Sequence, residues 1–280
     1  MPAAAVLLAL ASSAVWGIAD FSGGLASRRL PAVSVSVVSQ AAGFAALLAV
    51  FAVRGAHLDV RSFVLGLLAG AGGGLGLAAF YRALALGTMS VVSPLVACGA
   101  IVPFGLSIAT GERPAPVAAA GAVVALAGAV LASVEERRAL AAGRGRAVVL
   151  AALAALALGL FVYFLGLGSR EGSALSTLVG ARVGSLTCLV VLAAALHEPL
   201  GVPRAWLGRV AAIGLCDVGA NTLFALASAT GLLALVSVLG SLYPVMTVLL
   251  AYVFLHERVS RVQLGGIVAA LAGVAVVSAG

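Results

Sequence analysis

Asp217, Asn221 and Arg182 are the residues of this 280-residue chain that point most directly to chemistry. Asp217 stands about midway along a long apolar run. If that run crosses a bilayer, a carboxylate at its centre is unfavourable by roughly 2.5–3.5 kcal/mol, so an ionisable residue there marks a ligand, a proton path or a structural partner. Asn221 follows four residues later, on the same helical face. On one reading Asp217 binds a cationic or amino group or takes up a proton during exchange. On the other it pairs with a polar group elsewhere, Arg182 first among them. Arg182 lies mid-run in a different apolar segment, where it attracts a substrate carboxylate or makes the Asp217 charge tolerable. Trp16 and Asp20 are one helical turn apart in the first apolar run. Trp16 would form an aromatic wall and Asp20 would lie near a cytoplasmic mouth, unless both are interface anchors.

The elements that position these residues follow from composition. Hydrophobic residues make up 63% of the chain and charged residues 9%, where soluble domains carry roughly 25% charged; mean hydropathy is +1.23. Lipid must be the solvent for most of this surface. A helix needs about 20 apolar residues to cross a hydrocarbon core of about 30 Å, which predicts about ten spans, and the unalternating Leu/Ala/Val runs exclude a closed barrel. The fold class is an all-α integral membrane protein. Its net charge of +7 comes from 16 arginines and no lysine, scattered in ones and twos between apolar runs. That pattern sets membrane orientation and does not build a nucleic-acid face. Cys98, Cys188 and Cys216 lie within apolar spans without metal or redox spacing, so no metal or cofactor is expected. The run from Ala3 lacks a preceding positive residue and continues past Val15, which favours a first span over a secretory leader.

In order, the spans are predicted at about Ala3–Gly24, Ala32–Val53, Ser62–Leu84, Met89–Thr110 and Pro116–Val134. The second five are predicted at Ala147–Gly168, Ser173–Leu196, Trp206–Ala227, Leu232–Leu255 and Val262–Ala279. Gly66, Gly70 and Gly74 make a small-residue stripe suited to close helix approach. Pro94 and Pro103 should kink or break the fourth span, and Pro244 the ninth, freeing carbonyls within the membrane. This makes Ser241, Tyr243, Pro244 and Thr247 candidates for a cavity lining. Gln40 and Tyr81 are further intramembrane polar candidates; the hydroxyls also have their own helix backbones to bond. His57, His197 and His256 lie at span ends beside charged loops and read as interfacial.

The chain repeats itself. Glu112-Arg113, Gly121, Ala125-Leu-Ala-Gly128 and Ser133 recur as Glu257-Arg258, Gly266, Ala270-Leu-Ala-Gly273 and Ser278, each 145 positions later. Gly17, Gly24 and Ser27-Arg28 recur 142 positions later as Gly159, Gly166 and Ser169-Arg170. The repeats are residues 1–134 and 147–280, with a cytoplasmic linker at 135–146. Five spans per half is an odd number, so the halves are inverted, the arrangement of secondary transporters with a midplane site. Eleven arginines fall in one set of alternate loops and four (Arg54, Arg61, Arg113, Arg170) in the other. The first set is therefore assigned to the cytoplasm and both termini to the outside of a cell membrane.

These residues resemble the drug/metabolite transporter superfamily, specifically its EamA-type ten-helix exporters. The likeness rests on Val15-Trp-Gly17, Tyr81-Arg-Ala-Leu84 with Gly87 and Ser93-Pro94, and Gly111-Glu-Arg-Pro114. In the second half it rests on Ser241-Leu-Tyr-Pro-Val-Met-Thr-Val248 and His256-Glu-Arg258. The resemblance implies export or exchange of small polar metabolites such as amino acids by alternating access, with a cavity lined by both halves. The chain departs from symmetry at Gly99, which stands where a counterpart of Pro244 would fall. A lipid-linked headgroup flippase or a channel is the alternative, and an intramembrane enzyme a weaker one, because the histidines lie in loops and no nucleophile–base pair is visible. The expected partners are a small-molecule substrate and the bilayer, with no nucleic acid. Two fused halves make a complete pathway, so a monomer suffices and a dimer stays open.

Overall fold

The computed structural model describes residues 2–87, 89–132, 145–256 and 260–279. Most of the linker assigned to 135–146 lies outside the described residues, as do Glu257 and Arg258 of the repeat motif. The first half contains α1 (Ala3–Ser27), α2 (Ala32–Val53), α3 (Val60–Leu86), α4 (Met89–Ala97), α5 (Ile101–Ala109) and α6 (Pro116–Ala132). The second contains α7 (Gly145–Glu171), α8 (Ala174–Leu196), α9 (Arg204–Thr230), α10 (Leu233–Gly240), α11 (Tyr243–Leu255) and α12 (Arg261–Ala279). Among the described residues seven segments are long and apolar enough to span a bilayer, α10 and α11 counting as one. Three shorter apolar segments, Leu95–Ala109, Pro116–Gly128 and Arg261–Val277, bring the total to ten. Many large apolar side chains lie on the outside, with Phe254 67% exposed; on a membrane protein these face lipid, not water.

Local chemistry sets the helix ends. Pro2, Pro31 and Pro203 immediately precede α1, α2 and α9, where a missing amide donor costs nothing. Asp59 and Ser173 cap α3 and α8 by accepting from the amides of Ser62 (2.9 Å) and Ser176 (3.2 Å). Ser62 also accounts for the two residues by which α3 begins ahead of its expected start, because the Asp59 cap holds the first turn. His197 and His256 end α8 and α11 in the left-handed conformation, at φ 54° and 53°. Their place at span ends is thus a chain-stopping one.

The two five-span repeats are inverted and interleaved. The third helix of each half packs against the first two helices of the other: α3 against α7 and α8, α9 against α1 and α2. Small residues make these approaches possible. Gly66, Gly70 and Gly74 meet Thr177, Ala181 and Ser185 of α8 with no room for a β-carbon, while Gly72, Gly73 and Gly76 meet Ala157, Phe161 and Leu158 of α7. Gly214 of α9 sits on the Ser39 carbonyl of α2, and Gly121 and Gly128 of α6 face Gly273 and Gly266 of α12.

Both broken spans are present at matching places. In the second half α10 stops at Gly240 and α11 restarts at Tyr243, with Pro244 in its first turn. In the first half the break is not at Pro94 or Pro103. It is a 3-10 turn at Cys98–Ala100, centred on Gly99. The reason is a close approach: Gly99 abuts the backbone of Ala155 and Gly159 abuts the Gly99 carbonyl. Pro103 lies in the first turn of α5, where its ring is harmless.

Candidate functional site

The interleaving brings the middles of α1, α2, α8 and α9 around one point, and the polar residues of the four helices meet there. Asp217 Oδ2 accepts from Arg182 Nη1 at 2.8 Å, from Gln40 Nε2 at 3.1 Å and from Asn221 Nδ2 at 3.3 Å. Gln40 Oε1 in turn accepts from Arg182 Nη1 and, at 3.1 Å, from Ser185 Oγ. Trp16 Nε1 donates to Asn221 Oδ1 at 2.9 Å. The chain of bonds runs from α1 to α9 to α8 to α2, so it joins the two halves. Arg182 and Asp217 are both buried, and a buried ion pair is tolerable only when its remaining hydrogen-bonding capacity is met, as the amides of Gln40 and Asn221 largely do here.

Beside this network lies a cavity lined by Trp16, Asp20, Gln40, Arg182, Ser185, Asp217, Asn221 and Tyr243 on its polar side. Gly73, Leu77, Leu158, Phe161, Val162, Leu165, Leu178 and Ala181 line the rest. Its volume is about 70 Å³, several times the roughly 10–15 Å³ one water needs. That is room for a small solute or a few waters. Two groups in the wall are not used up by the protein. Arg182 Nη2 is buried with no hydrogen-bond partner among the described residues, and the Asp20 carboxylate has none there either, although it feels the charge of Asp217.

The position of Asp20 corrects the expectation that it lies at a mouth. It is 8% exposed and belongs to the cavity wall. The reason is that α1 runs on to Ser27, which leaves Asp20 roughly 10 Å inside the helix end. Trp16 is likewise a wall residue, buried against Phe224 (ring centroids 5.4 Å apart) and edge-on to Tyr243 (6.5 Å). Other expected residues are not in the wall. Tyr81 is buried against Gly23 of α1, outside the cavity. Thr247 Oγ1 donates to the carbonyls of Gly17 and Tyr243, 3.2 Å each, joining α11 to α1. Ser241 donates to the Val238 carbonyl at 2.7 Å and borders a smaller cavity with Ser237, Pro103 and Gly159. Pro244 opens α11 one residue after Tyr243, whose ring closes the wall.

The wall also obeys the internal repeat. Trp16 and Leu158, Asp20 and Val162, and Gln40 and Arg182 each stand 142 positions apart; Gly73 and Asp217, and Leu77 and Asn221, stand 144 apart. All ten line the cavity, which therefore lies on the pseudo-two-fold axis. Gln40 and Arg182 are polar in both halves; the other four pairs are alike in place and unlike in chemistry, so α1 and α9 present polar or aromatic groups where α7 and α3 present apolar ones. Ser185 and the apolar face of α7 escaped the sequence reading. Ser185 was within reach, three residues after Arg182 on the same face; Leu158 and Val162 look like any lipid-facing residues until the symmetry is applied. Among the described residues no group of acidic, histidine and cysteine side chains could hold a metal ion.

The comparisons fit this geometry. The model of the EamA-like transporter family matches residues 3–134 and again 145–279. A protein known from a crystal structure is similar over 99% of this chain and 99% of its own, with a TM-score of 0.71 at 21% identity; this shows a shared fold. No curated protein matches the chain.

Proposed function

Because the chain belongs to the EamA-like transporter family and is a multi-pass membrane transporter of the drug/metabolite transporter superfamily, we propose that it is a secondary carrier of small zwitterionic metabolites, amino acids first. The observation that carries the reading is the pair of unused groups in the axial cavity. Arg182 offers Nη2 to a carboxylate. Asp20 offers an unshared carboxylate to an ammonium group. Leu77, Leu158, Phe161 and Val162 offer an apolar surface to a side chain. A zwitterion places its carboxylate on Arg182 and its ammonium on Asp20, so each of its own charges meets an opposite one in the wall.

The same arrangement supports alternating access. The cavity lies between two halves of opposite topology, with broken spans α4–α5 and α10–α11 beside it, and rocking of one half against the other exposes it to either side in turn. In this reading the direction is export or exchange, with the loops bearing fewer arginines outside. The Arg182–Asp217 pair holds the helices in register, and Asp20, free of such a pair, is the carboxylate that binds the amino group or a proton.

The test is counterflow. Purified protein in liposomes preloaded with one amino acid at a time is given the same labelled compound outside. Saturable counterflow of an α-amino acid, weakened at least about tenfold in Asp20→Asn, supports the reading, since loss of one charge-assisted contact is worth about that factor. Absence of counterflow for every amino acid tried, or equal counterflow in Asp20→Asn, overturns the zwitterion assignment.

A further inference from the structure

Away from the central cavity, the lipid-facing side carries a second arrangement of charge over an apolar slot. α1 and α9 run antiparallel, and between the C-terminal half of α1 and the N-terminal half of α9 a crevice of about 500 Å³ opens to the surface. Its walls are Ile18, Leu25, Ala212 and Ile213. At one end stand Arg29 and Arg209, with their guanidinium carbons 5.9 and 5.4 Å from the centre of the Trp206 ring. No carboxylate lines the crevice, and neither arginine has an ion-pair partner among the described residues.

We propose that this crevice is a binding site for an anionic phospholipid, with the phosphate between Arg29 and Arg209 and an acyl chain along Ile18, Leu25 and Ile213. Three features carry the assignment. The first is charge. Two guanidinium groups drawn to one indole repel each other, and a phosphodiester between them removes that repulsion while accepting their paired donors. A zwitterionic headgroup brings its own cation and forfeits much of the gain. The second is length. Ile18 to the end of α1 at Ser27 is roughly 14 Å of helix, with Arg29 just beyond it, which matches one leaflet of a hydrocarbon core about 30 Å thick. The third is composition. A tryptophan ring between basic groups and apolar wall is suited to the headgroup boundary. The crevice is also not a product of the fold's symmetry, since the counterpart contact of α7 with α3 is closed by Gly72 and Gly73 against Ala157 and Phe161.

The chain has only two tryptophans, which gives a direct test. In a Trp16→Phe background Trp206 is the sole indole, and it is quenched by brominated acyl chains that lie beside it. The protein is placed in phosphatidylcholine bilayers holding about one phosphatidylglycerol in ten, with the bromine on one lipid or the other. Two arginines at an anionic surface predict about thirtyfold preference for phosphatidylglycerol at this site. Quenching by brominated phosphatidylglycerol should then far exceed its share of the bilayer, and the excess should vanish in Arg29→Gln/Arg209→Gln. Ala212→Phe, which fills the crevice and keeps both arginines, should also abolish it. Quenching that follows bulk composition overturns the proposal, as does an excess that survives both variants. An excess that millimolar inorganic phosphate displaces also overturns it, because the site then serves a soluble phosphate.

Discussion

Arg182 and Asp217 each lie in the middle of a span and each is the other's reason for being tolerated there. Arg182→Gln leaves Asp217 buried with amides for company, and Asp217→Asn leaves a guanidinium without its counter-charge. Either single change should destabilise the folded protein by about 3–5 kcal/mol, because an uncompensated charge remains. The double variant removes both charges and should lose clearly less than the two singles together. A double-mutant cycle on unfolding in detergent measures this; additive losses would show that the pair is not coupled. Asp20 differs, because it has no protein partner to strand. Asp20→Asn should melt at or above the unsubstituted protein's temperature while losing affinity for the amino group of a substrate. A fall in melting temperature as large as that of Asp217→Asn would make Asp20 a structural residue. Sequence alone flagged all three, since a charge in an apolar run is conspicuous. It named Arg182 as the first partner for Asp217, and the two are paired in the structure; the place of Asp20 beside them in one cavity wall was not legible, because Asp20 lies in the other half of the chain.

At the scale of elements, glycine decides how closely α3 meets its neighbours. A β-carbon at Gly70 would fall on the backbone of Ala181 and Ser185, whereas at Gly105 it meets nothing within 4 Å. Gly70→Val should therefore abolish folded protein in membranes, and Gly105→Val should leave the yield within about twofold of normal, since a lipid-facing change of this kind is worth little. Size-exclusion profiles of the two variants in detergent check this, and equal yields would contradict the packing. The cap of α3 makes a milder prediction. The Asp59 carboxyl, held below its ordinary value of 3.8 chiefly by its bond with Ser62, stabilises the helix when ionised. That contribution is complete above about pH 4 and fades as acid takes the pH below 3.8 through the lowered folded value. Asp59→Asn should flatten the melting temperature of the protein across that acid window, leaving neutral behaviour nearly unchanged; an unaltered acid slope would remove Asp59 from the account. Elements of this kind were the most legible in the sequence, because span length, proline entry points and the glycine stripe are local properties. The first-half break was less so. Proline was the visible signal, but the Gly99–Ala155 approach that sets the break joins α7 to a turn more than fifty positions earlier.

For the whole molecule, a second group of polar ties between the halves, apart from the central network, lies at one face. Arg61 pairs with Glu171 at 2.5 Å, the Asp59 amide donates to Ser176 Oγ at 3.1 Å, and the Ser173 amide donates to Ser62 Oγ at 2.9 Å. Glu112 is the strongest tie. Its two carboxylate oxygens accept from the amides of Leu233 and Ala234, at 2.9 and 2.8 Å, where α10 begins, and it also pairs with Arg170. A carboxylate on the open amides of a helix start meets both unfilled donors and the positive end of the helix dipole. Glu112 was visible to sequence only as part of a motif, since its helix partners lie more than 120 positions away. The Arg61–Glu171 pair is exposed and contributes little, so the closure of this face rests on Glu112. Glu112→Ala should release α10 from the first half and shift the population toward a state open on this face. With Cys98, Cys188 and Cys216 replaced by alanine and a single cysteine placed at Leu165 in the cavity wall, a membrane-impermeant thiol reagent reports that opening from the Glu112 side. Labelling should rise about tenfold in Glu112→Ala, as expected when one charge-assisted tie is lost, and Glu112→Asp should fall between. Unchanged labelling from that side, with the protein folded, would mean that the halves are held by their glycine contacts alone and that Glu112 is no gate.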